Sequence, residues 1–167
     1  MTTIRQAKTE ADRALVRELF WEYLDWANAR LNEEYGINLE IESMVERDMA
    51  KLEIFLPPDG RLLLAMEGAQ AVGLACMRRI KEDAGEIKRM YVRPEFRKQG
   101  IGRALVEAII ADARAIGYAS IRLDSTRFMK AAHSLYRSMG FREIEPYPES
   151  EIPPELQHRW VFMERPL

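Results

Sequence analysis

Residues 86–103, with the sequence EIKRMYVRPEFRKQGIGR, constrain the fold of this chain more than any other stretch. An extended segment ending at Val92 passes through a turn at Pro94 to Gly100 and Gly102, which open a long amphipathic helix. A strand, a glycine-containing loop and a helix N-terminus can aim several backbone N–H groups at one point, where the helix dipole adds partial positive charge. The stretch therefore predicts a site for a large anion such as a phosphate group.

The spacing of the two glycines narrows the choice of phosphate motif. The pattern is not GxxxxGK[ST], because no Lys-Ser/Thr pair follows, and it is not GxGxxG, because only two glycines are present. It is R-x-x-G-x-G, from Arg97 to Gly102, and the neighbouring Lys98 and Arg103 also suit phosphate. Taken alone, the two glycines can equally mark only the start of a helix, without binding a ligand.

Length and composition are those of an ordinary globular domain. The 167 residues suit a single domain, residues 1–167, that is large enough to bury a core. Hydrophobic residues make up 47% and charged residues 31%, as in soluble globular proteins. No apolar run is long enough to span a membrane, and the N-terminal MTTIRQAKTE lacks the apolar segment of a signal peptide. We therefore expect a cytoplasmic protein without a membrane partner.

The rarer residue types narrow the chemistry further. Cys76 is the only cysteine and the chain has two histidines, so neither an intrachain disulfide nor a metal site is expected. The net charge of −2 argues against a dedicated nucleic-acid-binding protein. Basic residues are nevertheless crowded between Arg78 and Arg103, which is typical either of a solvated basic face or of a site for an anionic ligand.

Hydrophobic periodicity predicts two helices near the start of the chain. Thr9 and Asp12 form a capping-box pattern ahead of an apolar stripe at helical spacing, and Gly36 ends that stripe. A second capping-box pattern at Ser43 predicts the start of another helix, whose apolar stripe continues to Phe55.

The remaining patterns predict a sheet with one crossover. Two apolar runs joined by Gly68-Ala69-Gln70 indicate an antiparallel hairpin, and a further turn leads into the strand that ends at Val92. The helix from Ile101 connects this strand to another at residues 119–124, a unit expected to form a right-handed parallel crossover. Another helix, near residues 129–139, and two closing strands follow.

A second motif lies on the helix after the crossover. Residues 132–141, AHSLYRSMGF, match the pattern A-x-x-L-Y-x-x-x-G-F and follow the R-x-x-G-x-G motif. Two independent motifs in this order, on the expected elements, resemble the two signatures of the GNAT superfamily of N-acetyltransferases. The resemblance covers nearly the whole chain and is weakest over residues 28–60 and 145–158, where GNAT proteins usually differ.

The resemblance implies an α/β fold with a mixed, mostly antiparallel sheet of about seven strands, one parallel crossover and about four flanking helices. It also implies acetyl-CoA as cosubstrate and no metal. In GNAT enzymes the fourth and fifth strands splay apart, the pantetheine arm pairs with the fourth strand, and the pyrophosphate lies on the loop before the helix. The cofactor-binding residues implied here are Met90, Tyr91, Val92, Arg97, Lys98, Gln99, Gly100, Ile101, Gly102 and Arg103. The family often has Asn at the position of Met129, so that polar contact is missing or supplied elsewhere.

The resemblance further implies catalytic residues for attack of an amine on the thioester. An alkyl amine has a pKa near ~10.4 and must lose a proton first, a task that a carboxylate performs directly or through a water. Glu86 and Asp124 occupy the two positions where GNAT enzymes carry this base, and Glu86 ranks slightly first, although each can equally be an ion-pairing carboxylate. Tyr136 lies at the position of the general acid, where a phenol can donate to a departing thiolate with a pKa of ~8.5. A backbone N–H beside Met90 can polarise the carbonyl.

Two functions from different classes remain. The first is an N-acetyltransferase that transfers the acetyl group of acetyl-CoA to a primary amine of a small molecule or exposed peptide, by direct attack in a ternary complex. The second is a non-catalytic acyl-CoA-binding regulatory module, against which the presence of an acid and a base argues. The acceptor pocket is expected between the first two helices and the connector at residues 146–158, where acidic residues such as Glu149 and Glu151 would suit a cationic amine. The fold also permits a homodimer.

Overall fold

A mixed sheet of seven strands forms the centre of the protein, and the computed structural model describes all residues from 1 to 167. In chain order the strands are β1 (Thr2–Gln6), β2 (Arg61–Glu67), β3 (Gln70–Lys81), β4 (Ala84–Val92), β5 (Ser120–Thr126), β6 (Arg142–Ile144) and β7 (Trp160–Pro166). Across the sheet they lie in the order β1-β2-β3-β4-β5-β7-β6. Every neighbouring pair is antiparallel except β4 and β5, which confirms the predicted mixed sheet with one parallel crossover.

Four α-helices cover the two faces of this sheet. They are α1 (Glu10–Tyr35), α2 (Ile41–Ala50), α3 (Ile101–Ile116) and α4 (Lys130–Ser138), together with short 3-10 turns. None of the helices combines the length and apolar character that a membrane span requires.

Successive side chains of the strands point to opposite faces of the sheet, and they form two hydrophobic cores, one on each face. In β2, Leu62 and Leu64 point to the face covered by α1 and α2, whereas Leu63 and Ala65 point to the face covered by α3 and α4. Successive side chains of a strand point to opposite faces, so a strand covered on both sides is apolar throughout instead of alternating with polar residues. The central strands are therefore held rigidly between two layers of helices.

The first helix begins and ends as its sequence predicts. The Thr9 hydroxyl accepts a hydrogen bond from the Asp12 N–H at 3.1 Å, and the Asp12 carboxylate accepts from the Thr9 N–H at 3.1 Å. Arg5 in β1 adds a bidentate ion pair to the same carboxylate, at 2.7 and 2.9 Å. At the other end, Gly36 adopts a left-handed conformation with φ of 66°.

The predicted N-cap at Ser43 is wrong. Helix α2 begins at Ile41, and the Ser43 hydroxyl instead donates to the carbonyl of Glu40 at 3.1 Å. The earlier start places Ile41 and Met44 against the core beneath α1 and α2. This tertiary contact outweighs a single surface cap, whose contribution is about 1 kcal/mol.

Strands β4 and β5 separate after a short stretch of pairing. Their register runs from Ala84 opposite Ser120 to Ile87 opposite Leu123, although both strands continue beyond it. A bulge in β4 contains Arg89, whose φ is 53°, and it shifts the pairing of β4 with β3. An extra residue in one strand bends that strand, so β4 turns away from β5 and leaves a cleft.

Candidate active site

The loop before α3 presents a row of unused backbone donors. The N–H groups of residues 98–103 donate to no backbone carbonyl, whereas the N–H of Ala104 begins the helical series by donating to Gly100. The first N–H groups of any helix lack intrahelical acceptors, and the helix dipole makes this end attractive to anions. A phosphate or pyrophosphate fits such a run of free donors.

The backbone of Lys98 and Gly100 shapes this loop. Both residues have positive φ, 62° and 82°, and left-handed residues within a short loop turn successive N–H groups toward a common point. No atom lies within 4 Å of the position that a Cβ of Gly100 would occupy, so the space beside its backbone is open. A Cβ on Gly102 would lie 3.4 Å from Leu135 Cδ2, so a small residue allows close packing of α3 on α4.

The basic side chains of the loop differ in what they contact. Arg97 donates from Nε to the carbonyl of Val92 at 2.8 Å, and Arg103 donates to the Ser138 hydroxyl at 2.8 Å. Lys98 is exposed and has no ion-pair partner. None of these three positive charges is therefore neutralised by a carboxylate.

The other residues assigned to the cofactor by resemblance lie on or next to these elements. Met90 and Val92 pack on the core beneath α3, whereas the Tyr91 ring is buried on the opposite face, beneath α1. Gln99 is exposed and Ile101 is buried under the loop. The edge of β4 that faces β5 has no strand partner beyond Ile87, so an extended ligand chain can lie along it.

Asp124 and Tyr136 line the same cleft between the splayed strands, a space of about 60 Å³. Met90 of the bulged strand borders it as well. The structure thus brings together a carboxylate, a phenol and the β4 edge, although Asp124 and Tyr136 lie on different elements.

Tyr136 is enclosed but keeps its hydroxyl free. Its side chain is 5% exposed and its ring packs 5.5 Å from that of Phe141. Burial raises the pKa of the phenol, and its hydroxyl has no hydrogen-bond partner within the protein. The phenol is therefore protonated at neutral pH and can donate a hydrogen bond into the cleft.

Glu86 lies outside this cleft and is enclosed by its partners. Its side chain is 0% exposed, and its two oxygens accept hydrogen bonds from Arg78 Nε at 2.9 Å and from the Tyr147 hydroxyl at 2.6 Å. Burial raises the pKa of this carboxyl, against the opposing charge of Lys88 at 3.9 Å. The arrangement ties the connector that carries Tyr147 to the start of β4.

Asp124 is more accessible than Glu86. It lies one residue beyond the last pair that joins β5 to β4, and its side chain is half-buried. Oδ2 accepts a hydrogen bond from the Ser150 hydroxyl at 3.1 Å, whereas Oδ1 has no partner within the protein. One carboxylate oxygen is therefore available to a ligand.

A larger cavity of about 580 Å³ adjoins the cleft, between α1, α2 and the connector. The two spaces share the lining residues Tyr23, Lys88, Arg89, Asp124, Ser125 and Met129. A ligand in the cavity can therefore reach the cleft past Asp124. This is the region where the sequence predicts the acceptor pocket.

The two histidines have structural surroundings. His133 is buried, lies 3.0 Å from the Ser125 hydroxyl through Nε2, and has its pKa lowered by burial. His158 is exposed and lines neither the cleft nor the larger cavity. No group of three or more His, Cys, Asp or Glu side chains is arranged to hold a metal ion.

Sequence reasoning missed the residues that hold the connector in place. Tyr147 and Ser150 bond to the two carboxylates, Glu86 and Asp124, and neither was assigned a role. The only local signal is an aromatic residue flanked by prolines, Pro146 and Pro148, which indicates a rigid segment but not its partner.

The splay of β4 from β5, directly before an anion-binding helix N-terminus, is the architecture of acyl-CoA N-acyltransferases. The profile of the acetyltransferase (GNAT) family matches residues 14–141, and the chain belongs to this family. The protein is therefore an acyltransferase.

Individual relatives agree with this assignment. An uncharacterised N-acetyltransferase of Schizosaccharomyces pombe is 33% identical over 125 residues, which cover 72% of this chain and 76% of that protein. The IAA acetyltransferase of Azospirillum brasilense is 36% identical over 118 residues, covering 70% and 74%. The solved PaiA N-acetyltransferase of Thermoplasma acidophilum, in complex with coenzyme A, matches with a TM-score of 0.76 over 100% of this chain and 99% of that one. At 20% identity, this last likeness concerns the fold.

Proposed function

We propose that this protein transfers the acetyl group of acetyl-CoA to a primary amine of a small molecule or exposed peptide, by direct attack within a ternary complex. The observation that carries the proposal is the position of Asp124 and Tyr136 in one cleft. Direct transfer needs one group that takes a proton from the amine and another that supplies a hydrogen bond or proton to the leaving thiolate. A carboxylate and a protonated phenol in one cleft meet both needs.

Acetyl-CoA would bind along the loop and the free strand edge. The pyrophosphate would accept hydrogen bonds from the N–H groups of residues 98–103, with Lys98 and Arg103 beside it. The pantetheine arm would lie along β4 beyond Ile87, which directs the thioester into the cleft next to Met90. Coenzyme A in the Thermoplasma relative supports this cosubstrate.

Asp124 is our choice for the base, which reverses the sequence-based ranking of the two carboxylates. Glu86 has no exposed surface and both of its oxygens are occupied, so an amine has no path to it. Asp124 borders both the cleft and the adjoining cavity and has a free oxygen. It would accept the proton of the bound ammonium group, directly or through a water, and leave a neutral amine.

The amine nitrogen would then form a bond to the thioester carbonyl carbon, and the carbon–sulfur bond would break. A backbone N–H beside Met90 would stabilise the oxyanion. Burial raises the pKa of Tyr136, so this phenol would act first as a hydrogen-bond donor to the sulfur. As the carbon–sulfur bond breaks, Tyr136 would give its proton to the thiolate, which leaves as the free thiol of coenzyme A. The extra proton on the nitrogen would pass to the resulting tyrosinate, directly or through a water, which yields the neutral amide and restores the phenol.

Calorimetric titration with acetyl-CoA and coenzyme A tests cofactor binding. We would compare the wild type with Gly100→Glu, which places a negative charge in the open space beside the free N–H groups. The matched control is Gly117→Glu at the opposite end of α3, since Gly117 also has positive φ and no atom within 4 Å of its Cβ position. Both substitutions cost about 1–2 kcal/mol of backbone strain, so differences in binding report the position.

Binding that Gly100→Glu weakens by at least about tenfold and Gly117→Glu leaves unchanged is the expected result. Formation of coenzyme A with a panel of primary amines then tests the transfer itself. Absence of acetyl-CoA binding by the folded wild type, or of acetylation across the panel, would overturn the proposal.

A further inference from the structure

The larger cavity beside the cleft has an excess of basic side chains. Its charged lining residues are the bases Arg47, Lys51, Arg78, Lys88 and Arg89 and the acids Asp48, Asp124 and Glu151. The lining thus carries five positive and three negative charges. The partners of each acid decide which charges remain open to a ligand.

Asp48 and Glu151 are neutralised by neighbouring bases. Asp48 accepts a hydrogen bond from Arg89 Nε at 2.7 Å. Glu151 pairs with Lys88 at 3.2 Å and with Arg78 at 3.9 Å. Burial by itself would raise the pKa of Glu151, but these two bases outweigh it and hold the pKa below its usual range.

Asp124 is then the one acid of the cavity without a basic partner, and it is the proposed proton acceptor. Of the two acidic residues that the sequence offered for a cationic acceptor, Glu151 is paired with bases and Glu149 does not line the cavity. The Glu149 carboxylate faces Arg122 instead, at 3.9 Å. A polyamine would therefore find no free carboxylate beyond Asp124.

Arg47 and Lys51 are the bases that remain unpaired. They lie one turn apart where α2 ends, with the Lys51 N–H donating to the Arg47 carbonyl at 3.2 Å. Both side chains are exposed at the cavity and neither forms an ion pair. Two cationic groups one turn apart can receive one carboxylate by charge-assisted hydrogen bonds.

More than half of the residues that line the cavity are hydrophobic. The contributing residues include Leu24, Leu39, Phe55, Ile152, Leu156 and Trp160. A volume of about 580 Å³ exceeds what a simple amine fills, so it has room for an apolar body.

We infer that this cavity binds an anionic primary amine, in which an amine nitrogen and a carboxylate are joined through an apolar body. The amine lies at Asp124 and the carboxylate at Arg47 and Lys51. The inference rests on the proposed function, because it names the acceptor of that same reaction.

Matched pairs of acceptors test the inference. We would assay 6-aminohexanoate, 8-aminooctanoate and 4-(aminomethyl)benzoate with acetyl-CoA, each against its own carboxamide, and spermidine as a polyamine. The double variant Arg47→Gln, Lys51→Gln is compared with the double variant Lys8→Gln, Arg114→Gln, which removes two exposed, unpaired charges remote from the cavity. Calorimetric binding of the same amines to the complex with coenzyme A gives a measure that does not depend on turnover.

In at least one pair, the carboxylate should have a kcat/KM about tenfold above that of its carboxamide, as expected for a charge-assisted hydrogen bond. Arg47→Gln, Lys51→Gln should remove this preference, mainly by raising KM, whereas the control keeps it. Preference for carboxamides or spermidine, or a preference that survives loss of both cations, would overturn the inference.

Failure of the inference and failure of the proposed function have different signatures. Acetylation of carboxamides or spermidine without a carboxylate preference refutes the anionic acceptor and leaves acetyl transfer standing. Binding of a carboxylate to the coenzyme A complex, lost in Arg47→Gln, Lys51→Gln but without product, supports the site and refutes the transfer. If no probe binds and no probe is acetylated, both the inference and the proposed function are refuted.

Discussion

The Tyr147 hydroxyl donates a hydrogen bond to Glu86 Oε2 at 2.6 Å, across 61 residues of sequence. This bond joins the proline-rich connector to the first residues of β4, and Arg78 occupies the other oxygen of the same carboxylate. Since Tyr147 and Glu86 are both buried, the pair fixes the connector that forms one wall of the larger cavity. Glu86, which the sequence ranks slightly ahead of Asp124 as the base, thus also holds the connector in place.

Removing the Tyr147 hydroxyl should destabilise the protein. Tyr147→Phe leaves Glu86 with one unsatisfied buried oxygen, so the free energy of unfolding should fall by about 1–3 kcal/mol. Urea unfolding measures this, with Tyr35→Phe as the control, because the Tyr35 hydroxyl has no hydrogen bond to lose. Equal stability of both variants would contradict the anchoring role.

The two carboxylates should respond differently to neutralisation. Asp124→Asn removes the proposed base, so kcat/KM for amine acetylation should fall by about 10²–10⁴-fold. Glu86→Gln keeps the shape of an enclosed side chain and should change kcat/KM by less than about tenfold. Steady-state release of coenzyme A measures both, and the opposite ranking would show that Glu86 is the base.

Substitutions at two tyrosines should separate an effect on catalysis from an effect on stability. Tyr136→Phe should lower kcat by about 10²-fold or more and leave the free energy of unfolding nearly unchanged, because the lost hydroxyl has no partner in the protein. Tyr118→Phe should do the reverse. The Tyr118 hydroxyl donates to the carbonyl of Asp59, so its loss should cost about 1 kcal/mol of stability and leave kcat unchanged. Full activity in Tyr136→Phe would remove this residue from the mechanism.

Substitution of Ser125 tests whether the acetyl group passes directly from acetyl-CoA to the amine. Its hydroxyl borders the cleft and lies 3.0 Å from His133 Nε2, an arrangement that also occurs around activated serine nucleophiles. Direct attack by the amine needs no acyl-enzyme, so Ser125→Ala should retain kcat within about tenfold. Mass spectrometry after incubation with acetyl-CoA alone should show no acetylated serine. An acetyl adduct that is lost in Ser125→Ala would establish a covalent route instead.

The Asp12 carboxylate should make stability depend on pH at the acidic end. Hydrogen bonds from Arg5 and from the capping N–H groups hold the pKa of Asp12 well below its usual range, against the effect of burial. Below ~3.9 the unfolded state binds the proton and the folded state does not, so this stabilisation is present above ~3.9 and is lost as pH falls further.

Asp12→Asn should therefore lower the free energy of unfolding by about 1–3 kcal/mol at pH 7. The difference from the wild type should shrink as pH falls below ~3.9. Urea unfolding from pH 7 to pH 2.5 measures it, with the exposed, unpaired Asp25→Asn as control. A difference that is constant across this range would contradict the assigned ion pair.

Local patterns predicted most of the fold because each rests on interactions between near neighbours in sequence. The capping box at Thr9, the hairpin at Gly68 and the crossover helix starting at Ile101 all follow from periodicity and turn residues. The N-cap at Ser43 failed because packing of Ile41 against a distant core competed with a local hydrogen bond. Where a local capping preference and the burial of apolar side chains favour different helix starts, burial decides.

The candidate site likewise has one part that local sequence patterns predict and another that depends on tertiary contacts. Gly100 and Gly102 mark the donor loop in sequence, since a helix N-terminus has free N–H groups wherever it occurs. The sequence ranked Glu86 slightly ahead of Asp124 as the base without information on the surroundings of either. Each is an acidic residue on a strand, and only the partners contributed by Arg78 and Tyr147 enclose the first and leave the second accessible.

The sequence by itself determined the family, the order of the strands and helices, and the loop that suits a pyrophosphate. These depend on periods, caps and motifs that short-range sterics and hydrogen bonding impose. Only the tertiary structure decided which carboxylate borders the cleft, how β4 bends at Arg89, and that the adjoining cavity leaves Arg47 and Lys51 unpaired. Those features arise from side chains far apart in sequence, where solvent exclusion and ion pairing depend on the assembled packing.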